Sequence, residues 1–341
     1  MSLNSTEIED MAQMIYSSSA IRKKAVVLCE GAPSWDKLKR TPRSRKEAGL
    51  AEEKEYKKSG KLSDSSFYLN CLPRYLRAEK CPQFFSCGSR SNVIDIFHQL
   101  LDLHCEDPPS DSYLDINKLF AIVDLDLEEK PIRGSIHQSI EAIYQSIYGN
   151  RSGSLNLIDH RIYTTGLIHK EAYFMLPELK HEVFDVCAGL RYCNGVFDLN
   201  KIYLDLIQSI SKDNRIKKHF SIVRERLKGY LSPQEIEELD PIKLQEILEN
   251  KFQEHLPFDW SNLDSNEDFR KILTSAVLLI AKAKDEAWKK ITDDSGSEDF
   301  YYFRISMEGK IATYFSTHHE TVKDFHIMEI LKFICEKSRE P

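Results

Sequence analysis

The chain of 341 residues is 41% hydrophobic and 30% charged, with a formal net charge of −7. That balance excludes a disordered chain and leaves room for one large domain or two ordinary ones. It argues against a protein that coats nucleic acid over its whole surface, though a local basic groove is compatible with it. The eight cysteines form no Cys-x-x-Cys pair, and no stretch reads as a signal peptide or a bilayer-spanning run. Free thiols, a cytoplasmic location and no membrane association are therefore expected.

Thr6-x-x-Glu9 has the spacing of a capping box and predicts a short helix ending near Tyr16. The apolar run from Ala25 to Cys29 predicts a buried strand closed by Glu30 and Gly31. An insert from Asp36 to Ser66 follows. Its first part, 37–46, is strongly basic, and its second mixes Glu and Lys at helical spacing. It reads either as a solvated loop with a surface helix or as a basic arm for a phosphate backbone.

Phe67 to Arg77 reads as a helix and Gln83 to Ser86 as a second strand. Gly88 to Asn92 is a turn, with Ser91 or Asn92 capping a helix that runs to about Leu103. Leu119 to Val123 is a third strand, closed by Asp124-Leu125-Asp126. A helix is predicted over 135–148, a fourth strand over Ile162 to Thr165, and a helix opening at Lys170 and stopped by Pro177. This alternation predicts an α/β fold, a parallel sheet with helices on both faces.

The remainder reads as mainly helical. Ser232-Pro233-x-Glu235 and Asp240-Pro241 each start a helix. Glu267 to Ile291 predicts one long amphipathic helix and Thr321 to Lys337 another, with Phe300 to Lys310 between them. The expected organisation is an N-terminal helix (1–21), an α/β domain (22–195, with the insert at 36–66) and a mainly helical C-terminal region (196–341).

The chemistry-bearing residues stand at strand ends. In open α/β sheets, ligands collect beyond the carboxyl ends of the strands. Glu30, Asp124 and Asp126 gathered there repel one another unless a cation or a proton neutralises them. Ligation by oxygen alone suits Mg²⁺ or Mn²⁺. Taken singly, Glu30 also reads as a helix cap and Asp124-x-Asp126 as a polar loop. His169, His318 and His319 read as packing or surface residues, or as metal ligands or proton carriers. Tyr163 lies beside the expected site. No Gly-x-Ser-x-Gly elbow and no P-loop occur.

The combination of a glutamate on the first strand, an intervening strand with a Gly-turn, and paired aspartates on the third resembles the Toprim domain. That domain is the catalytic core of topoisomerases, bacterial primases and the overcoming-lysogenization-defect (OLD) nucleases. Cys87-Gly88-Ser89-Arg90-Ser91-Asn92-Val93 is similar to the Gly-turn-helix of OLD-like Toprim proteins. The stretch Thr165 to Glu171 is similar to the segment that supplies a further acid there, and Glu308-Gly309-Lys310 to a late Gly-Lys element. The resemblance covers about 22–180 and, less specifically, 267–315. It departs from the group where Ala32-Pro33-Ser34-Trp35 intervenes before the next acid, Asp36, which is the candidate for the acid placed soon after the Glu-Gly pair, and where Glu128 and Glu129 add acids without a matching role.

The resemblance implies a Toprim-like domain in which Glu30, Asp124 and Asp126 hold Mg²⁺ (or Mn²⁺), with Glu171 toward a second ion. Glu30 is alternatively the proton-handling group, and Lys310 meets the scissile phosphate. The implied function is Mg-dependent phosphodiester cleavage of nucleic acid, DNA favoured over RNA, in defence against phage. The missing P-loop implies a separate ATPase partner or none. The other reading is a non-catalytic interaction module with a relic Toprim fold that docks a partner protein. It predicts an exposed apolar face on 267–291 or 321–337. Oligomeric state is left open.

Overall fold

Strands form where charge-free runs of β-branched and aromatic residues are bounded by turn residues. They are β1 (Val26–Cys29), β2 (Gln83–Ser86), β3 (Leu119–Val123) and β4 (Ile162–Thr164). All pair in parallel in the order β2-β1-β3-β4. Every residue of β1, β3 and β4 is buried, as a parallel sheet covered on both faces requires. The computed structural model describes residues 3–33, 62–77, 81–106, 112–128, 132, 139–149, 155–256, 258, 260, 266–295, 300–318 and 327–340. The basic part of the insert, Asp36, Glu129 and His319 lie outside them.

The chain divides into two compact units. The first comprises Met1–Asp124, Pro131–Thr165 and Glu308–Pro341, and the second Leu125–Lys130 and Gly166–Met307. This division places the last segment of the chain with the sheet, across the boundary drawn at 195/196 from the sequence.

In the first unit, helices α1 (Ser5–Tyr16), α2 (Asp64–Cys71), α3 (Arg74–Arg77), α4 (Arg90–Glu106) and α5 (Ile140–Tyr148) accompany the strands. Residues on one face of a sheet alternate along each strand. Cys29, Ser86, Ile122 and Tyr163 are in register and so share a face. On that face Ser86 Oγ donates to Ser65 Oγ of α2 at 2.8 Å. The Tyr163 ring there meets Phe333 of the C-terminal helix Ile327–Arg339 at 6.4 Å. The step from β1 to β2 runs opposite to the steps from β2 through β3 to β4, so right-handed crossovers put α4 and α5 on the other face.

The capping box of α1 is Asn4 with Glu7, not Thr6 with Glu9. Asn4 Oδ1 accepts from Glu7 N–H at 3.0 Å and Glu7 Oε2 from Asn4 N–H at 2.9 Å. Starting there lets the helix bury Met11, Ala12, Ile15 and Tyr16, while Leu3 N–H ties the entry to Asn92 Oδ1 of α4.

The second unit is helical apart from a hairpin of β5 (Arg191–Tyr192) and β6 (Gly195–Val196). Cys193 and Asn194, both at positive φ, form its two-residue turn, as the twist of a hairpin favours. Ser232 and Glu235 cap Pro233–Glu237 as expected, and Asp240 caps Pro241–Gln253. Three expectations are corrected. Lys170–Met175 is a 3₁₀ segment ended by extended Leu176. The helix expected over 267–291 stops at Ala281, whose ψ is 142°. Phe300–Thr317 is one helix, so Gly309 and Lys310 lie within it and not on a connecting segment. Among the described residues, no helix is long and apolar enough to cross a membrane.

Candidate functional site

The connection from β1 leaves toward β2 and the one from β3 leaves toward β4, on opposite sides of the β1–β3 pair. Chain reversal of this kind opens a crevice at the carboxyl ends of the two strands, the place where open α/β sheets bind ligands. Glu30 and Asp124 each follow directly on one of these strands. Cys29 lies opposite Ile122, so the two acids are neighbours by register. The Asp124 N–H donates to Glu30 Oε1 at 2.9 Å. The Asp124 carbonyl accepts from Arg90 Nη1, at the start of α4, at 3.2 Å. Glu30 and Asp124 are half-buried and Arg90 is buried.

The turn after β1 is fixed against the turn after β2. Gly31 and Gly88 exchange both backbone hydrogen bonds, at 2.8 and 2.7 Å. Gly31 has φ +113°. A Cβ there would meet Ser86 Oγ at 3.5 Å and Asp64 N at 3.6 Å, which is ordinary contact, so backbone conformation and not space calls for glycine. The start of α2 thus adjoins this turn. Helix Phe300–Thr317 is tied to the same region, because buried Glu308 accepts Leu62 N–H through Oε2 at 2.9 Å. Glu308 therefore joins the packing of this unit. Lys310, two residues on, is exposed.

In the second unit another set of charged groups gathers. His169, Lys170 and Glu171 are consecutive and buried, and Glu171 is 2% exposed. Glu171 Oε2 lies 3.5 Å from His169 Nδ1, and Oε1 lies 3.6 Å from Lys284 Nζ. Neither ring nitrogen of His169 has a hydrogen-bond partner. Burial holds its pKa below the ordinary value. The Glu171 carboxylate opposes that, Lys284 adds to it, Asp126 opposes it and Arg215 adds to it. Asp126 thus belongs to the surroundings of His169. Its carbonyl accepts from Arg226 Nη2 at 3.2 Å, and the same nitrogen reaches the Leu125 carbonyl at 2.5 Å.

Tyr163 is committed to structure. Its hydroxyl donates to the carbonyls of His160 (2.8 Å) and Leu157 (3.0 Å), and burial raises its pKa. His318, half-buried just past the end of helix Phe300–Thr317, stacks on Tyr314 at 4.3 Å. The structure therefore brings Glu30 and Asp124 together in the first unit and sets Asp126 and Glu171 around His169 in the second. Arg90 and Arg226 were not singled out for any role from the sequence. Arg90 stood inside the Gly-turn motif as a possible signal, whereas Arg226 carries none.

Among the described residues no group of three or more His, Cys, Asp or Glu side chains is arranged to hold a metal ion. Mg²⁺ commonly takes only one or two protein carboxylates and keeps several waters. Glu30 and Asp124 fit that hard-oxygen pattern, while the imidazole and lysine beside Glu171 do not. No family model matches the chain, and neither does any curated protein or solved structure.

Proposed function

We propose that the chain is a Toprim-like, Mg²⁺-dependent (or Mn²⁺-dependent) phosphodiesterase that cleaves DNA, OLD-like in its sheet and working with a separate ATPase or alone. The observation that carries this reading is the Glu30–Asp124 pair, hydrogen-bonded at the reversal point of the β2-β1-β3-β4 sheet. An ion held there supplies Lewis-acid stabilisation to the charge that builds on phosphate oxygens during cleavage. Glu30 and Asp124 would hold it. The bond from Asp124 N–H ties one Glu30 oxygen across the strand ends.

The docking-module reading expected an apolar face exposed on 267–291 or 321–337. In the described part of those segments, Ala276–Ile280 is wholly buried, and Ile327–Arg339 buries Ile327, Met328, Ile330, Leu331, Ile334 and Cys335. This burial weighs against the docking reading for the described part of those segments.

Supercoiled plasmid incubated with the purified chain and Mg²⁺ or Mn²⁺ tests the proposal. The wild type is expected to nick, with loss of at least a hundredfold in Asp124→Ala and on chelation, about the scale set by removing electrostatic stabilisation from a reaction centre. Equal nicking by both proteins, or none by the wild type with or without an ATPase fraction, overturns it.

A further inference from the structure

Arg90 opens α4 directly after the turn that follows β2, yet its guanidinium bonds to the Asp124 carbonyl at the end of β3. The strand order is β2-β1-β3, so this side chain reaches across the end of β1, where Glu30 stands. The peptide groups flanking Asp124 are thereby gripped from two sides, the N–H by Glu30 and the carbonyl by Arg90. Arg90 is 9% exposed. Burying a guanidinium is costly unless it is hydrogen-bonded, and its rigid planar fork then fixes its partners in place.

We infer that Arg90 is the positioning residue of the Glu30–Asp124 site. It locks the first residue beyond β3 so that the Asp124 carboxylate is presented beside that of Glu30. The inference rests on the reading of that pair as a cation site. Two physical effects of Arg90 oppose each other there. Its positive charge repels a divalent cation nearby, while its hydrogen bond orders the ligand. Coulomb's law alone predicts that removing the charge tightens cation binding. Loss of positioning predicts the opposite, because ligands free to wander must be ordered at the moment of binding.

The sign of the change therefore decides. The probe is Mn²⁺ alone, titrated into the full chain and followed by the loss of the free-ion electron paramagnetic resonance signal. Wild type, Arg90→Gln, Arg90→Lys and Glu30→Gln are compared, with circular dichroism to check folding. Arg90→Gln is expected to weaken Mn²⁺ binding about tenfold or more, and Arg90→Lys to weaken it also, since an ammonium keeps the charge but lacks the planar fork. Should Arg90→Gln misfold, Arg90→Lys carries the test. Unchanged or tighter binding in the folded variants, while Glu30→Gln abolishes binding, overturns the positioning role and leaves the cation site standing. Wild type that takes up no Mn²⁺, or Glu30→Gln that binds like wild type, overturns the cation site itself.

Discussion

His169 is buried, and both its ring nitrogens are without hydrogen-bond partners. Its folded-state pKa is depressed, so the unfolded chain binds more protons than the folded one as the pH falls below about 6.5. The stability that depends on a neutral imidazole is thus fully present above that value and is lost as the pH drops toward the folded pKa. Urea unfolding of wild type is expected to show stability falling between pH 7 and pH 5.5, by up to ~1.4 kcal/mol per pH unit from this group. His169→Asn should flatten that slope. His98, which burial also depresses, leaves a residual slope of the same sign. Identical pH slopes in wild type and His169→Asn would contradict the account. At the same scale, Tyr163 shows why proximity to a site is a poor guide to chemistry. Its hydroxyl bonds to the carbonyls of Leu157 and His160, just before β4, and so holds that turn in place.

Among the elements, β2 and β3 have the bounds read from the sequence, because each is a charge-free run closed on both sides by polar residues or turn formers. The Ser232 and Asp240 caps were equally readable, since side chain and first turn lie within a few residues. The stretch 267–291 was not. Ala276–Ile280 is buried on every side, so it carries no stripe from which a helix length could be read. What ends that helix is tertiary: the Leu279 carbonyl accepts from Arg226 Nη1 at 2.9 Å and the Leu278 carbonyl from Ile168 N–H at 3.1 Å. Arg226 is 3% exposed and also holds the carbonyls of Leu125 and Asp126. Replacing it with Met would leave buried acceptors unpaired, each worth about 1–3 kcal/mol. Arg226→Met is therefore expected to lower the unfolding free energy by at least ~3 kcal/mol in a denaturant titration. A loss below about 1 kcal/mol would show that water or other donors replace the guanidinium.

For the whole molecule, the division into units runs between Asp124 and Leu125, inside the Asp124-x-Asp126 motif. The adjacency of Glu30 and Asp124 was readable, because parallel strands in register bring their carboxyl ends side by side. The arginines were not, since a guanidinium bonded to backbone carbonyls demands no particular residue type in its partner. The place of the Gly309-Lys310 pair was not legible either: it was expected between two helices, but it lies within an 18-residue helix. The fold class follows from hydrophobic runs and their spacing, whereas the site depends on where the sheet reverses direction.

The central claim is that Glu30 and Asp124 share one cation at that reversal. Crystals grown with Mn²⁺ and measured for anomalous scattering test it most directly. The account predicts a strong anomalous peak in contact with carboxylate oxygens of both residues, lost in Glu30→Gln crystals. A map with no peak between them, or with the ion bound elsewhere while both carboxylates stay bare, would contradict it.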